Sequence, residues 1–381
     1  MSLSRRKTLA LLGGGTILAA TAAAGLSVTR TPRSALVPWA NAGNYAEPRM
    51  RALSYAILAP NPHNRQPWLV DLRMDGEVTL RVDTERLLPH TDPFNRQIVV
   101  GLGCFLELMT LAAAAQGYGV ELDLFPDGED PSGLDTRRVA VARFVEGAGA
   151  AEPALFGQVM QRRSLKEPFD TERSVDQATL KAVLAVATRS RVAGSVAPKS
   201  IATLRDITHE ALRIEIETPR TYKESVDLFR IGSREVDANP DGIDFTGPIF
   251  EAMALTGTFT REIALDRDSM AYQEGAKAVF ANVDTAMGHV WQVTRGNSRS
   301  DQIDAGRDWL RLNLATSAAG LGMQPLSQGL QEYPEMSGIY DMLHARLAPE
   351  GGTVQMLARI GYGPDISQSP RWPIESKIMH A

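Results

Sequence analysis

The spacing of apolar and polar positions changes several times along this 381-residue chain. The longest apolar run beyond the N-terminus covers 97–116 and predicts a buried helix, stopped by Gly117 and Gly119. Helical spacing also marks 48–59, 152–163, 176–187, 272–284, 303–319 and 335–347, with Asp176 standing where an N-cap would. Alternation predicts strands at 68–74, 78–82, 119–125, 138–145, 191–196, 289–294 and 354–362. Between 60 and 67 two X-Pro pairs and an asparagine break either period, which predicts an extended loop. Residues 203–270 begin helically and become irregular around Pro219, Pro240, Gly242 and Gly247, the pattern of a flap or lid.

The order of these elements repeats weakly. Residues 45–125 and 152–363 each give a helix, a strand, a long helix ending in glycine and a further strand, and the run Ala112 to Gly119 echoes Ala315 to Gly322. Two such halves, 45–150 and 151–376, would pack as a pseudo-dimer with a ligand at the seam. The chain is then expected to act as a monomer.

Residues 1–42 differ from the rest. They hold Arg5, Arg6, Lys7, Arg30 and Arg33 and no acidic residue, so removing them takes the net charge from −5 to −10. A body at −10 without a long basic run is not expected to bind nucleic acid or an anionic membrane surface. The basic cluster precedes a mildly apolar, Gly-rich stretch with small-residue sites near Ala24 and Ala42. Arg5-Arg6 before that stretch resembles a twin-arginine export signal; an uncleaved anchor and a chance arginine pair are the alternatives. Such a signal implies the twin-arginine machinery as partner, an exported or periplasmic location, no stable membrane insertion of the mature chain, and a cofactor inserted before export.

Candidate chemistry narrows by elimination. One cysteine, Cys104, excludes an intrachain disulfide framework and a Cys-rich metal site, and predicts a buried thiol. The six histidines never reach metal-ligand spacing on one helix, so no metal is expected. No Gly-x-Ser-x-Gly elbow is present, and Gly101-Leu102-Gly103 and Gly320-Leu321-Gly322 lack the third glycine of a dinucleotide loop; close helix packing explains them better. Two clusters survive. Arg162-Arg163-Ser164-Leu165-Lys166 gathers three cations and a hydroxyl, which suits a phosphate and equally a solvated turn. In the loop His63-Asn64-Arg65-Gln66, two amides two residues apart would point the same way if extended, matching a heterocycle edge or, more plainly, a capping loop.

Together the clusters resemble motifs of the FMN-dependent nitroreductase superfamily. Leu58-Ala59-Pro60-Asn61-Pro62-His63-Asn64-Arg65-Gln66-Pro67-Trp68 is similar to its amide loop and Arg162 to Lys166 to its basic segment; Gly320 to Ser327 is similar to the flavin-face loop, and Arg359 to Gly363, followed by Pro370-Arg371-Trp372-Pro373, to its C-terminal motif. The amide loop precedes the basic segment, an order similar to the Acg-like branch, in which two halves are fused and one flavin site is lost. The resemblance implies an α+β fold, an antiparallel-rich sheet arrangement flanked by helices in two fused pseudo-dimeric halves, holding one FMN. It implies that Arg162, Arg163, Ser164 and Arg371 hold the phosphate and ribityl chain. Lys166 would stand near the flavin N1 and C2 carbonyl, and Asn64 and Gln66, with Asn61 and His63 in the same loop, at the ring edge. Pro325, Leu326 and Ser327 would lie near N5, making Lys166 and Ser327 the candidate catalytic residues. Asn61 replaces the family's loop serine, and Ser327 a common acidic residue. The implied function is two-electron reduction of a small electron-poor acceptor, a quinone or nitroaromatic; the alternative is FMN storage or sequestration beneath a lid.

Overall fold

The computed structural model describes residues 32–379. The expected signal's Arg5-Arg6 pair and its apolar stretch lie outside these residues.

The first half runs α1 (Val37–Asn41), α2 (Pro48–Ala56), β1 (Trp68–Asp71), β2 (Glu77–Val82), α3 (Arg96–Ala114), β3 (Tyr118–Leu124) and β4 (Arg138–Glu146). The second half begins with α4 (Pro153–Phe156), α5 (Gln177–Leu184) and β5 (Arg191–Ser195). It resumes, after an insertion, with β8 (Gly288–Thr294), α12 (Arg299–Ala318), β9 (Gly322–Pro325), α13 (Ser337–Leu347) and β10 (Thr353–Gly361). The two antiparallel sheets have matching orders, β1-β2-β4-β3 and β5-β8-β10-β9. In each, a helix from the second strand crosses the sheet face before the third, as the apolar runs require.

Those two helices, α3 and α12, form the centre. Nearly every residue of α3 is buried, from Arg96 to Ala114, so a helix apolar and long enough to cross a membrane is here the core of the molecule. The helices touch backbone to backbone: a Cβ on Gly103 would collide with the carbonyl of Ile303, and one on Gly306 with that of Val100. Cys104 is buried at this crossing and its Sγ donates to the Gly306 carbonyl at 3.1 Å. Leucine, isoleucine and valine side chains from both halves merge into one core there, each fully buried one contributing about 1.5–3 kcal/mol.

The insertion occupies residues 196–287, between the first and second strands of the second sheet. It comprises α6 (Pro198–Glu217), α7 (Pro219–Asp227), β6 (Phe229–Ile231), α8 (Ser233–Ala238), β7 (Ile243–Phe245), α9 (Pro248–Thr256), α10 (Arg261–Leu265) and α11 (Met270–Asp284). The region read as partly irregular is thus mostly helical; Pro198, Pro219 and Pro248 fall at first-turn positions, where a missing N–H costs nothing. Its own core is aromatic, with Phe229, Phe250 and Phe259 around Phe245 at ring distances of 4.7–5.1 Å.

Two expectations change. The helix expected over 152–163 stops at Phe156 with Gly157 as C-cap, and the chain continues in turns. The segment expected to end a signal at residue 42 is folded: Asp237 accepts from the Arg33 and Ala35 amides at 2.9 and 3.0 Å, and Trp39 is 2% exposed. The C-terminal tail also crosses halves, since Met379 donates its amide to Val70 of β1 at 2.8 Å.

Candidate functional site

The loop between α2 and β1 is built differently from an extended segment. His63, Asn64 and Gln66 have φ of 48, 52 and 51°, in the left-handed region where a non-glycine residue costs about 1–3 kcal/mol. Hydrogen bonds offset that cost. Asn61 Oδ1 accepts from the Gln66 amide at 2.7 Å, and Gly101 of α3 leaves room for the Asn61 Cβ and the Pro62 ring. The expected parallel display of the two amides is absent, because left-handed residues turn the chain between them. Asn64 donates to the Pro370 carbonyl at 3.0 Å and accepts from the Arg371 guanidinium. Gln66, fully buried, accepts from the Trp372 amide at 2.8 Å and donates to the Pro240 carbonyl at 2.7 Å. Both amides hold protein backbone in this structure: the C-terminal tail on one side and the insertion on the other.

The basic segment lies against the second sheet. The Leu165 amide donates to Met323 of β9 at 2.9 Å, and Gly322, Gly361 and Gly363 carry no side chain where Leu165 and Phe169 pack. That close approach explains the Gly-Tyr-Gly motif. It also drives Arg162 inward, where it donates to Asn313 Oδ1 at 2.9 Å and to the Leu58 carbonyl at 3.1 Å. Arg371 reaches the same place from the tail, donating to the Leu58 and Ala59 carbonyls at 3.2 Å each. Arg163 bonds the Met160 and Arg162 carbonyls and sits over the Trp39 ring, 5.1 Å from its centroid. Ser164, half-buried, follows directly.

Burial pushes Arg162 down to about 10, with the Arg163 charge adding to it. Arg371 falls to about 9 through burial and then the Arg162 charge, partly opposed by Asp244. Neither these two nor Arg163 forms an ion pair with a carboxylate among the described residues. Arg371 Nε is buried without any hydrogen-bond partner. Charge concentrated with only distant carboxylates to balance it, and with a donor unused among the described residues, is costly unless an anion joins it.

The remaining residues sit around this centre. Lys166 is exposed; its charge, after burial, helps hold the His63 imidazole down to about 3, so His63 is neutral, and its Nε2 lies 3.0 Å from Ser225 Oγ. Pro325 closes β9, Leu326 is buried with its amide on the Leu357 carbonyl, and the Ser327 carbonyl accepts from Gln97 at 3.3 Å. No hydrogen bond or ion pair among the described residues joins Pro325, Leu326 or Ser327 to the arginines or to the amide loop.

The insertion closes over the loop. Asp241, buried, pairs with Arg86 at 2.5 Å, Arg230 at 2.6 Å and Arg65 at 3.7 Å. Glu224 accepts from the His90 and Thr91 amides at 2.9 and 2.8 Å. Sequence spacing gave no sign of Asp241, Trp39 or Glu215. Glu215 is a buried carboxyl, bonded by Gln331 at 2.8 Å and raised to about 7 by burial.

No protein-family model matches the chain. Two Mycobacterium tuberculosis proteins are similar to it over nearly their whole length. "Putative NAD(P)H nitroreductase acg" is 25% identical over 338 residues, 86% of this chain and 94% of the relative. "Putative NAD(P)H nitroreductase Rv3131" is 24% identical over 354 residues, 87% and 93% respectively. The crystal structure of the FMN-dependent nitroreductase NfnB from Mycobacterium smegmatis in complex with NADPH is 18% identical and covers 60% of this chain and 98% of that one, with a TM-score of 0.35. The fold these residues build is mixed helical and antiparallel, with two sheets of matching strand order.

Proposed function

We propose that the chain is an FMN-binding oxidoreductase of nitroreductase type that reduces a small electron-poor acceptor by two electrons. The observation that carries this is the cluster of buried Arg162 and Arg371 with half-buried Arg163, in which no arginine is ion-paired to a carboxylate and Arg371 Nε has no partner among the described residues, at the seam of two halves. Those residues fit the phosphate end of the cofactor: a phosphate offers oxygen acceptors and about two negative charges to guanidiniums that already stand together. The names of the mycobacterial relatives support the same chemistry, with NAD(P)H as a donor to try.

When bound, FMN supplies hydride transfer through its N5. The chain's residues supply position and field. Arg162 is fixed by Asn313 and Leu58, and Arg371 by Leu58, Ala59 and Asn64, so both are held before the anion arrives. Asn64 and Gln66 act by fixing the tail that carries Arg371. Lys166 adds positive potential beside His63 and Glu215, favouring negative charge on a reduced flavin. Ser164 offers a hydroxyl in the middle of the basic segment, and Ser327 one two residues beyond β9.

A second reading, FMN storage, is favoured by the Asp241 clasp that holds the insertion on the amide loop. Export through the twin-arginine route remains part of the proposal and rests on Arg5 and Arg6.

The test is an absorption spectrum of the purified full chain, then reduction by NADPH or dithionite and addition of menadione or a nitroaromatic. Bound flavin that is reduced and reoxidised over many turnovers is expected. Flavin that dithionite reduces but no acceptor reoxidises establishes storage, and a chain that neither carries nor takes up FMN ends both readings.

A further inference from the structure

Residues 33–41 belong by composition to a basic, acid-free leader, and they nevertheless pack on the arginine cluster. The indole of Trp39 stands 5.1 Å from the Arg163 guanidinium and 5.8 Å from that of Arg371, so one ring serves two of the three cations. Its Nε1 donates to the Ser369 carbonyl at 2.8 Å, fixing the tail two residues before Arg371. The Arg371 amide itself donates to the Ala35 carbonyl at 2.9 Å. At the other end, one carboxylate, Asp237 of the insertion, accepts from the Arg33 amide, the Ser34 hydroxyl and the Ala35 amide. The short segment is therefore bonded to the insertion, to the tail and to the basic segment, three parts of the chain that each reach the site separately.

We infer that residues 33–41 are a permanent wall of the anion site, with Trp39 as the positioning residue for Arg163 and Arg371, and that any removal of the leader cuts before Arg33. The anion part rests on the site being that of a flavin phosphate; the wall itself does not. An aromatic face attracts guanidinium without neutralising it, so Trp39 orders the two cations and leaves their full charge for a ligand, as a carboxylate in its place would not. A cut at Ala42 would remove the ring, the acceptor of the Arg371 amide and the groups capped by Asp237 in one step. A cut near Ala24 would leave them all.

Three measurements on the full chain test this. Mass spectrometry of the chain recovered from an exporting host reads its first residue: a start at or before Arg33, uncut chain included, is expected, and a start at Gly43 overturns the inference. Hydrogen exchange reads the Arg371 amide without needing flavin: Trp39→Ala speeds it about tenfold and Trp39→Phe restores protection, whereas unchanged exchange in Trp39→Ala overturns the inference. FMN retention reads the ligand: Trp39→Ala weakens it about tenfold and Trp39→Phe recovers most of the loss, and equal retention in all three overturns the positioning role. A parent chain that holds no FMN sinks the flavin reading, and the exchange comparison still decides the wall. Asp237→Asn, which leaves the ring in place, is the second variant if Trp39→Ala does not fold; it must also speed exchange at Arg371.

Discussion

The two seam loops occupy corresponding places, one between α2 and β1 and the other between α5 and β5, and their chemistry is opposite. In the second, Asp308 of α12, wholly buried, accepts from the amides of Thr188, Arg189 and Ser190 at 3.1, 2.8 and 2.8 Å and from the Ser190 hydroxyl at 2.8 Å. The carboxylate of the same chain thus takes up the donors of that loop. In the first, two buried arginines meet at the Leu58 carbonyl and no carboxylate pairs with them. At one seam the buried charge is an acceptor already filled by amides of the same chain, and at the other it is a pair of donors held by backbone carbonyls.

Breaking the carboxylate seam gives the largest effect. Asp308→Ala removes the buried acceptor of three amides and a hydroxyl in a half-exposed loop and should lower stability by about 4 kcal/mol, measured by urea unfolding, while flavin stoichiometry in the folded fraction stays at one per chain. Breaking the arginine seam with Arg371→Ala should weaken FMN about a hundredfold, or about 3 kcal/mol, in a fluorescence titration, with little change in the apo-protein's midpoint. The crossing that carries both seams answers to Gly306→Ala, whose Cβ meets the Val100 carbonyl; about 2–3 kcal/mol is expected, together with a change at both seams.

The smallest effect concerns Glu215. Its folded pKa of about 7 lies above the ordinary value of 4.5, so the folded chain binds more protons than the unfolded one between those pH values. Stability is therefore greater at the acid end of that window and falls as pH rises through it. Between pH 5 and pH 8 this loss is on the order of 2 kcal/mol, and Glu215→Gln should remove most of it. Lys377, lowered to about 7 by burial, works in the opposite sense above pH 7, since the unfolded chain then binds the proton more tightly, and both chains share that effect.

Local signals made the framework readable. The apolar run at 97–116 became the core helix, and Asp176 caps its helix by accepting from Thr179 at 2.8 Å. The glycines of Gly101-Leu102-Gly103 do serve close packing, one against Asn61 and the other against α12. Where the sequence misled, tertiary contacts had overruled it. A helix over 152–163 is locally reasonable, but one continued to Arg163 would carry Arg162 away from Asn313 and Leu58. Asn64 and Gln66 read as a pair of free amides because alternation assumes an extended chain, and nothing in the spacing announces three left-handed residues. The leader looked continuous to residue 42 since Arg33 continues its charge, and only the packed indole of Trp39 separates address from domain. Asp308 and Asp241 were illegible for a simpler reason: each meets its partners across long stretches of sequence.

The glycine contact between α3 and α12 also decides the direction of traffic. With the two backbones in contact and buried side chains of both halves merged around them, parting the halves would open the shared core, so a ligand is not expected to arrive by their separation. The insertion is fastened differently, by ions: Asp241 to Arg65 and Arg86, and Glu224 to the His90 and Thr91 amides. Because Asp241 and its partners are largely buried, salt screens these bonds only in part. A ligand is then expected to enter at this polar edge, and the rate at which the site loads should answer more to removal of the Asp241 carboxylate than to ionic strength.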